Sequence, residues 1–339
     1  MWSHFTCLAF EHPYLYKYFI HAFSIQNTHP MRDLKELQQF WRHHQDVEKF
    51  LCTIIGKTGS GYRESGAKKI ILGDGTSCGY LSGGCLEGDI IRTALERQND
   101  MPFVKSFSTM SREDRLMGYQ TGCAGIIEIL FEKLPEGDGD MHRYIPFGDR
   151  DDIAGIAIST NRKTLALRTI LSGGNYSDDV FVDPWIKPFK LYVLGCGGNA
   201  RPFAEIAPPL GWEVNFLDYR EGHVIENSTA VQSRILALDQ FYKHIDEGEK
   251  SAVIVMTHNY EADLDLIGQL NGKNYGYLGF VGPKKRFEQL CADSKNLCGI
   301  EINMDWAENI HAPAGTYKGR TPEDIAFSII SQIQMKLHS

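Results

Sequence analysis

Apolar and polar positions follow two different rhythms along this chain, and the change falls near residue 190. Upstream, apolar residues come in short runs set off by glycines: 51–55 (Leu-Cys-Thr-Ile-Ile), 69–72, 126–131, 153–159 and 165–171, each of strand length. Two stretches break that pattern. Over 32–49, Leu34, Leu37, Phe40 and Trp41 recur at helical spacing, and over 86–98 Leu86, Ile90, Ile91, Ala94 and Leu95 do the same, so both predict amphipathic helices. Gly56 to Gly66 predicts a glycine-rich turn region, and Asp74-Gly75 after the 69–72 strand predicts a hairpin turn. The stretch from Pro135 to Pro188 closes the first domain, with 182–188 (Val-Asp-Pro-Trp-Ile-Lys-Pro) expected as a linker.

From Lys190 onward, strands predicted at 190–194, 213–218, 252–256 and 277–281 alternate with helices near 200–210, 261–271, 283–293 and 322–336. That is the cadence of a parallel sheet covered by helices. The fold class is therefore α/β: an N-terminal α/β domain with Gly/Cys motifs over 31–180, then a C-terminal Rossmann-like parallel-sheet domain over 190–339. Residues 1–30 hold Phe5, His12, Tyr14, Tyr16, Tyr18 and Phe19 but lack the basic start, apolar centre and small-residue cleavage site of a signal peptide. They are expected to be an N-terminal extension outside the fold, ahead of a second methionine at Met31.

Length and charge narrow the function classes. At 339 residues the chain suits two domains, and a net charge of −8 without a dense basic run argues against nucleic acid as a partner. No apolar stretch reaches the ~18 residues of a membrane span. Eight cysteines (7, 52, 78, 85, 123, 196, 291 and 298) include no C-x-x-C pair, so a zinc ribbon is disfavoured; without an export signal, reduced thiols and a cytoplasmic location are expected.

The candidate chemistry lies in a few glycine-rich turns. Gly195-Cys196-Gly197-Gly198-Asn199-Ala200 follows a predicted strand and opens a predicted helix, forming G-x-G-x-x-A. Gly195 suits the tight turn, Gly197 a close approach to a pyrophosphate and Ala200 close helix packing, while Asp218 at the end of the next strand suits a ribose 2′-hydroxyl. Upstream, Ser82-Gly83-Gly84-Cys85-Leu86-Glu87 puts Cys85 at a helix start, where amides and the helix dipole lower a thiol pKa, and Gly122-Cys123 precedes a strand. For both cysteines a small buried apolar role stands beside the functional one. Arg63 is either an anion clamp in the glycine-rich turn or an ordinary ion-pair partner. His258, after the 252–256 strand, is either a ligand contact at the sheet's carboxyl edge or a neighbour of the helix caps Thr257 and Asn259. Gly279-Phe280-Val281-Gly282-Pro283-Lys284-Lys285-Arg286 offers a phosphate cradle, and Thr321-Pro322-Glu323-Asp324 a helix start.

Taken in order, Gly66-Ala67, Ser82-Gly83-Gly84-Cys85-x-Glu87, Gly122-Cys123, the G-x-G-x-x-A, Met256-Thr257-His258, Gly279-Phe280-Val281-Gly282 and Thr321-Pro322-Glu323 resemble the xanthine dehydrogenase accessory factor (XdhC/CoxI) family over about residues 50–335. The resemblance implies a chaperone for molybdenum cofactor (molybdopterin), with no turnover of its own. Such a factor holds the cofactor, supports its sulfuration and inserts it into an apo-molybdenum hydroxylase of the xanthine dehydrogenase type. On this reading Cys85 and Cys123 are soft metal ligands, and Gly83, Gly84, Glu87, Arg63, Gly195, Gly197, Ala200, Asp218 and His258 line cofactor sites. A cysteine desulfurase as sulfur source and a homodimeric state belong to the same expectation. Two departures stand out: Ala124 where the family commonly shows glycine, and Pro283 where an arginine tends to follow the glycine turn. The competing reading is an NAD(P)-dependent oxidoreductase that uses the Rossmann-like domain, with His258 as its base.

Overall fold

Strand β1 (Lys49–Gly59) carries an apolar run interrupted only by the buried Thr53 because it lies at the centre of a sheet covered on both faces. The computed structural model describes residues 31–337 apart from 60–62, 85, 98, 109–124, 138, 174–176 and 178. It divides into two compact units at Lys187 and Pro188.

In the first unit β2 (Lys68–Leu72), β3 (Ser77–Cys78), β4 (Phe103–Ser108) and β5 (Gly125–Lys133) join β1 in the antiparallel order β3-β2-β1-β5-β4. Phe50, Cys52 and Ile54 turn to one face, where Ile90 and Ala94 of α2 (Glu87–Leu95) close a core. Leu51, Ile70 and Leu72 turn to the other, beneath Leu34, Leu37 and Trp41 of α1 (Met31–His43). Burial of each such side chain is worth about 1.5–3 kcal/mol. Helix α1 stops six residues short of its predicted end. The His43 and His44 rings bond back to the carbonyls of Gln39 and Phe40, and Lys49 Nζ gathers those of His44, Gln45 and Val47.

Two further expectations are corrected. The turn predicted from Gly56 begins later, because β1 stays paired with β5 as far as Gly59, past a register shift between Ile54 and Gly56. The Glu128 carboxylate lies over Gly56, one of its oxygens 2.5 Å from where a Cβ would stand. The predicted linker starts as a strand: β6 (Gly155–Ser159), β7 (Arg168–Leu171) and β8 (Val180–Pro184) form a sheet in the order β7-β6-β8. Phe181 packs with Ile156 and Ile158 on Leu130, and two buried ion pairs fasten this small sheet: Lys68–Asp183 at 2.6 Å and Arg168–Glu132 at 2.5 Å. Burial pushes the Lys68 ammonium down and the Glu132 carboxyl up in pKa, each opposed by its partner's charge. Short helix α3 (Met141–Tyr144) adds Met141 to the α1 side.

The second unit is a five-stranded parallel sheet of β9 (Lys190–Leu194), β10 (Glu213–Asp218), β11 (Val231–Ile235), β12 (Gly248–Val255) and β13 (Tyr275–Phe280), ordered β11-β10-β9-β12-β13. Helix α4 (Arg201–Ile206) follows β9 and gives way to a 3-10 turn at Pro208–Leu210, where Pro208 and Pro209 end the α-helical ladder. On the face holding Leu194, Leu217, Val253, Val255 and Leu278, α5 (Tyr260–Leu270) and α6 (Lys284–Cys298) supply Leu266, Ile267, Leu270 and Leu290. Helix α7 (Met304–Glu308) brings Trp306 to the same core, and α8 (Pro322–Leu337) packs against α4. Chain order reverses between β9 and β12, which makes their carboxyl ends the crevice of a Rossmann-like fold. No helix among the described residues is long and apolar enough to cross a membrane.

Candidate functional site

Glu87, the first residue of α2, organises the glycine loop before it. Its Oε1 accepts hydrogen bonds from the amides of Leu81 (3.0 Å) and Ser82 (2.8 Å) and from the Ser82 hydroxyl (2.9 Å). The Ser82 Oγ in turn accepts from the amides of Gly84 and Leu86. The other carboxylate oxygen faces the Lys69 ammonium at 3.0 Å, and Lys69 also donates to the Gly79 carbonyl. With Lys69 at 4% and Glu87 at 14% side-chain exposure, this is a nearly dry ion pair. Such a pair fixes backbone that would otherwise be free to move.

Above this scaffold Gly83 and Gly84 are exposed. Gly84 adopts a φ of +113°, and among the described residues no atom lies within 4 Å of where its Cβ would stand. Leu86, at the foot of the loop, begins a groove of about 860 Å³ that runs between α2 and the edge strand β4 past Thr93, Arg97, Phe103, Lys105 and Phe107. Asp89 and Glu96 line it beside these groups, and Arg97 is paired with Glu48 and Asp100, so the groove offers mixed charge and aromatic rings on the scale of a small-molecule ligand. Arg63 is set apart, its guanidinium paired with Asp33 of α1. Cys85 and Cys123, the expected soft ligands, lie outside the described residues. Among the described residues no three His, Cys, Asp or Glu side chains group as metal ligands. Cys52 is a core residue whose thiol burial pushes up in pKa.

The second group of expected residues gathers at the carboxyl edge of β9, β10 and β12. Gly195 has a φ of +106°, and a Cβ there would stand 2.6 Å from the Thr257 Cα, so only glycine lets the turn pass the chain leaving β12. Ala200 is fully buried at the start of α4. His258 is exposed in a left-handed conformation (φ +58°), and its ring would lie 3.4 Å from a Cβ on Gly197. Thr257 holds that turn: its Oγ1 accepts the Asn259 amide at 3.1 Å and donates to Asp263 at 2.5 Å. Arg286 of α6 donates to the same Asp263 at 2.7 Å, and Asn259 caps α5 through the Ala262 amide. Arg286, in the segment expected to cradle a phosphate, is thus engaged in holding the turn.

Asp218 does not stand open at the end of β10. It is fully buried; its Oδ2 accepts from the Cys196 amide (2.6 Å) and Arg220 Nη2 (2.8 Å), and its Oδ1 from the Arg220 amide (2.9 Å) and Nε (3.0 Å). Burial alone would raise its pKa, but these bonds and the Arg220 charge outweigh it and hold the carboxyl below the usual aspartate range. Lys69 and Arg220 are the residues that sequence reasoning missed. Arg220, two positions past the acid, was findable from spacing; Lys69 was masked by its apolar strand.

Comparison with known proteins agrees with this two-part architecture. Residues 43–104 match the XdhC and CoxI family, and residues 191–333 match the XdhC Rossmann domain. The chain is 25% identical over 325 residues to a probable xanthine dehydrogenase subunit of Bacillus subtilis (strain 168), covering 84% of this chain and 92% of that relative. It is 21% identical over 299 residues to the molybdenum cofactor insertion chaperone PaoD of Escherichia coli (strain K12), covering 85% and 83% respectively. Among solved structures, a xanthine dehydrogenase from Bacillus halodurans superposes with a TM-score of 0.73 over 90% of this chain and 95% of that one, at 22% identity, a likeness of fold. With its glycine loop in the first unit and its Rossmann-like second unit both matched, the chain belongs to the XdhC and CoxI family.

Proposed function

We propose that this protein is an accessory factor in the maturation of a molybdenum hydroxylase, and that it carries molybdenum cofactor as cargo to the apo-enzyme. The carrying observation is the loop at Leu81–Gly84, held from below by the Glu87–Lys69 pair, with Gly83 and Gly84 exposed and, among the described residues, nothing within 4 Å of the position a Gly84 Cβ would take. A loop fixed before the ligand arrives reduces the ordering cost of binding, and glycines permit close approach of a bulky group. The groove beside α2 has room for a pterin, with Arg97 and Lys105 near its aromatic walls. Cys85, next in sequence, is placed by this reading as the soft ligand to the metal centre. The insertion chaperone among the relatives supports the assignment.

Finer parts of the same reading are sulfuration of the held cofactor with a cysteine desulfurase as donor, a homodimeric state and a cytoplasmic location. Hydride transfer with NAD is the weaker reading, because the acid suited to a ribose diol is closed by Arg220. The test is transfer: chain loaded with molybdenum cofactor is mixed with an apo-molybdenum hydroxylase, and hydroxylase activity is followed. Activation faster than with the same amount of free cofactor is expected. Equal rates with and without the chain would overturn the proposal.

A further inference from the structure

We infer that the crevice of the second unit takes a nucleotide whose ribose bears a 2′-phosphate, with Arg220 as the residue that reads this phosphate, and that it discriminates against a free ribose diol. The inference is independent of the cargo reading, since it concerns only the second unit.

Discrimination follows from hydrogen-bond capacity. A carboxylate offers about four lone-pair sites, and those of Asp218 are filled by the Cys196 amide, the Arg220 amide, Arg220 Nε and Arg220 Nη2. Asp218 is also fully buried, so a ribose hydroxyl finds no acceptor there. Recognition follows from the other side of the same pair. A guanidinium carries five donors in a rigid fork, and two of them point at Asp218. The remaining donors have no hydrogen-bond partner among the described residues, the guanidinium lies over the Tyr219 ring at 5.5 Å, and the side chain keeps 31% of its surface exposed. Asp218 therefore anchors Arg220 in one orientation, which lowers the cost of fixing a long side chain on a ligand. At the end of the second strand of a Rossmann-like sheet, an arginine so placed is positioned for a 2′-phosphate.

The rest of the crevice suits the rest of such a ligand. The exposed Gly198, with nothing among the described residues within 4 Å of the position its Cβ would take, leaves backbone open for a pyrophosphate. The His258 ring stands beside Gly197, on a turn that Thr257, Asp263 and Arg286 hold.

The experiment is calorimetric titration of the full chain, free of bound cofactor, with NADP+, NAD+ and inorganic phosphate. NADP+ is expected to bind about ten- to a hundredfold more tightly than NAD+, the factor a charge-assisted hydrogen bond supplies, with inorganic phosphate weaker than NADP+. Arg220→Ala is expected to remove that preference by weakening NADP+ and freeing Asp218 for NAD+; Arg220→Gln, checked by thermal melting, serves where the alanine variant fails to fold. Equal affinity of the wild type for NADP+ and NAD+, equal loss of both in the folded variant, inorganic phosphate binding as tightly as NADP+, or no binding of either nucleotide would overturn the inference.

Discussion

Replacing Glu87 by glutamine keeps the shape of the side chain and removes its charge, which isolates the feature on which the glycine loop depends. Glutamine retains one carbonyl oxygen for the Leu81 and Ser82 donors, but its amide group then faces the Lys69 ammonium across 3.0 Å. Breaking a buried pair by removing one partner costs about 3–5 kcal/mol. Because the oxygen is retained and Glu87 is not wholly dry, about 2 kcal/mol is expected for Glu87→Gln and the full range for Glu87→Ala. Lys69→Met should cost a similar amount. In the double variant Lys69→Met/Glu87→Gln neither partner is left as a lone charge, so its loss should fall short of the sum by about 1–2 kcal/mol. Urea unfolding of the full chain gives the energies, and amide hydrogen exchange at Leu81, Ser82 and Gly84 gives the local effect. A loss under about 0.5 kcal/mol with unchanged exchange at those amides would refute the reasoning.

Other outcomes follow from the second unit. The depressed Asp218 carboxyl contributes stability that is fully present above its ordinary pKa of 3.8 and lost as pH falls through its lower folded value. Asp218→Asn should therefore destabilise the unit at neutral pH, with the difference from wild type shrinking below about pH 4 in acid melts; a constant difference would contradict this. Gly195→Ala should cost about 3 kcal/mol or more in urea unfolding, from its left-handed backbone and the contact with Thr257. Burial, reinforced by the Asp218 charge, pushes the Cys196 thiol up to about 12, so in native protein at pH 8 alkylation followed by mass spectrometry should label exposed Cys298 and spare Cys196.

How much of this was legible depended on whether a feature was local. Strands β9 and β10 read correctly because central parallel strands are apolar on both faces, whereas β11 buries only Val231 and left no apolar run to find. Strand β4 was missed for the same reason, being an edge strand with Val104, Lys105 and Ser106 exposed. The end of strand β8 reads as a linker because Asp183 and Pro184 look like turn residues, and the distant Lys68 makes a buried aspartate tolerable there. At the candidate sites the glycine motifs fall in turns, but the surroundings of Glu87 and Asp218 depend on Lys69 and Arg220. The first of those partners is set by tertiary folding, so no spacing rule finds it.

The central claim is that the first unit holds molybdenum cofactor through the loop ending at Cys85. Purified, reduced chain is incubated with molybdenum cofactor and desalted, and bound molybdenum is measured in wild type, Cys85→Ala and Glu87→Gln, with folding checked by circular dichroism. The account predicts retention by wild type, loss in Cys85→Ala and weakened retention in Glu87→Gln. Retention by a folded Cys85→Ala variant equal to wild type would contradict the thiol assignment, and no retention by wild type would contradict the carrier itself.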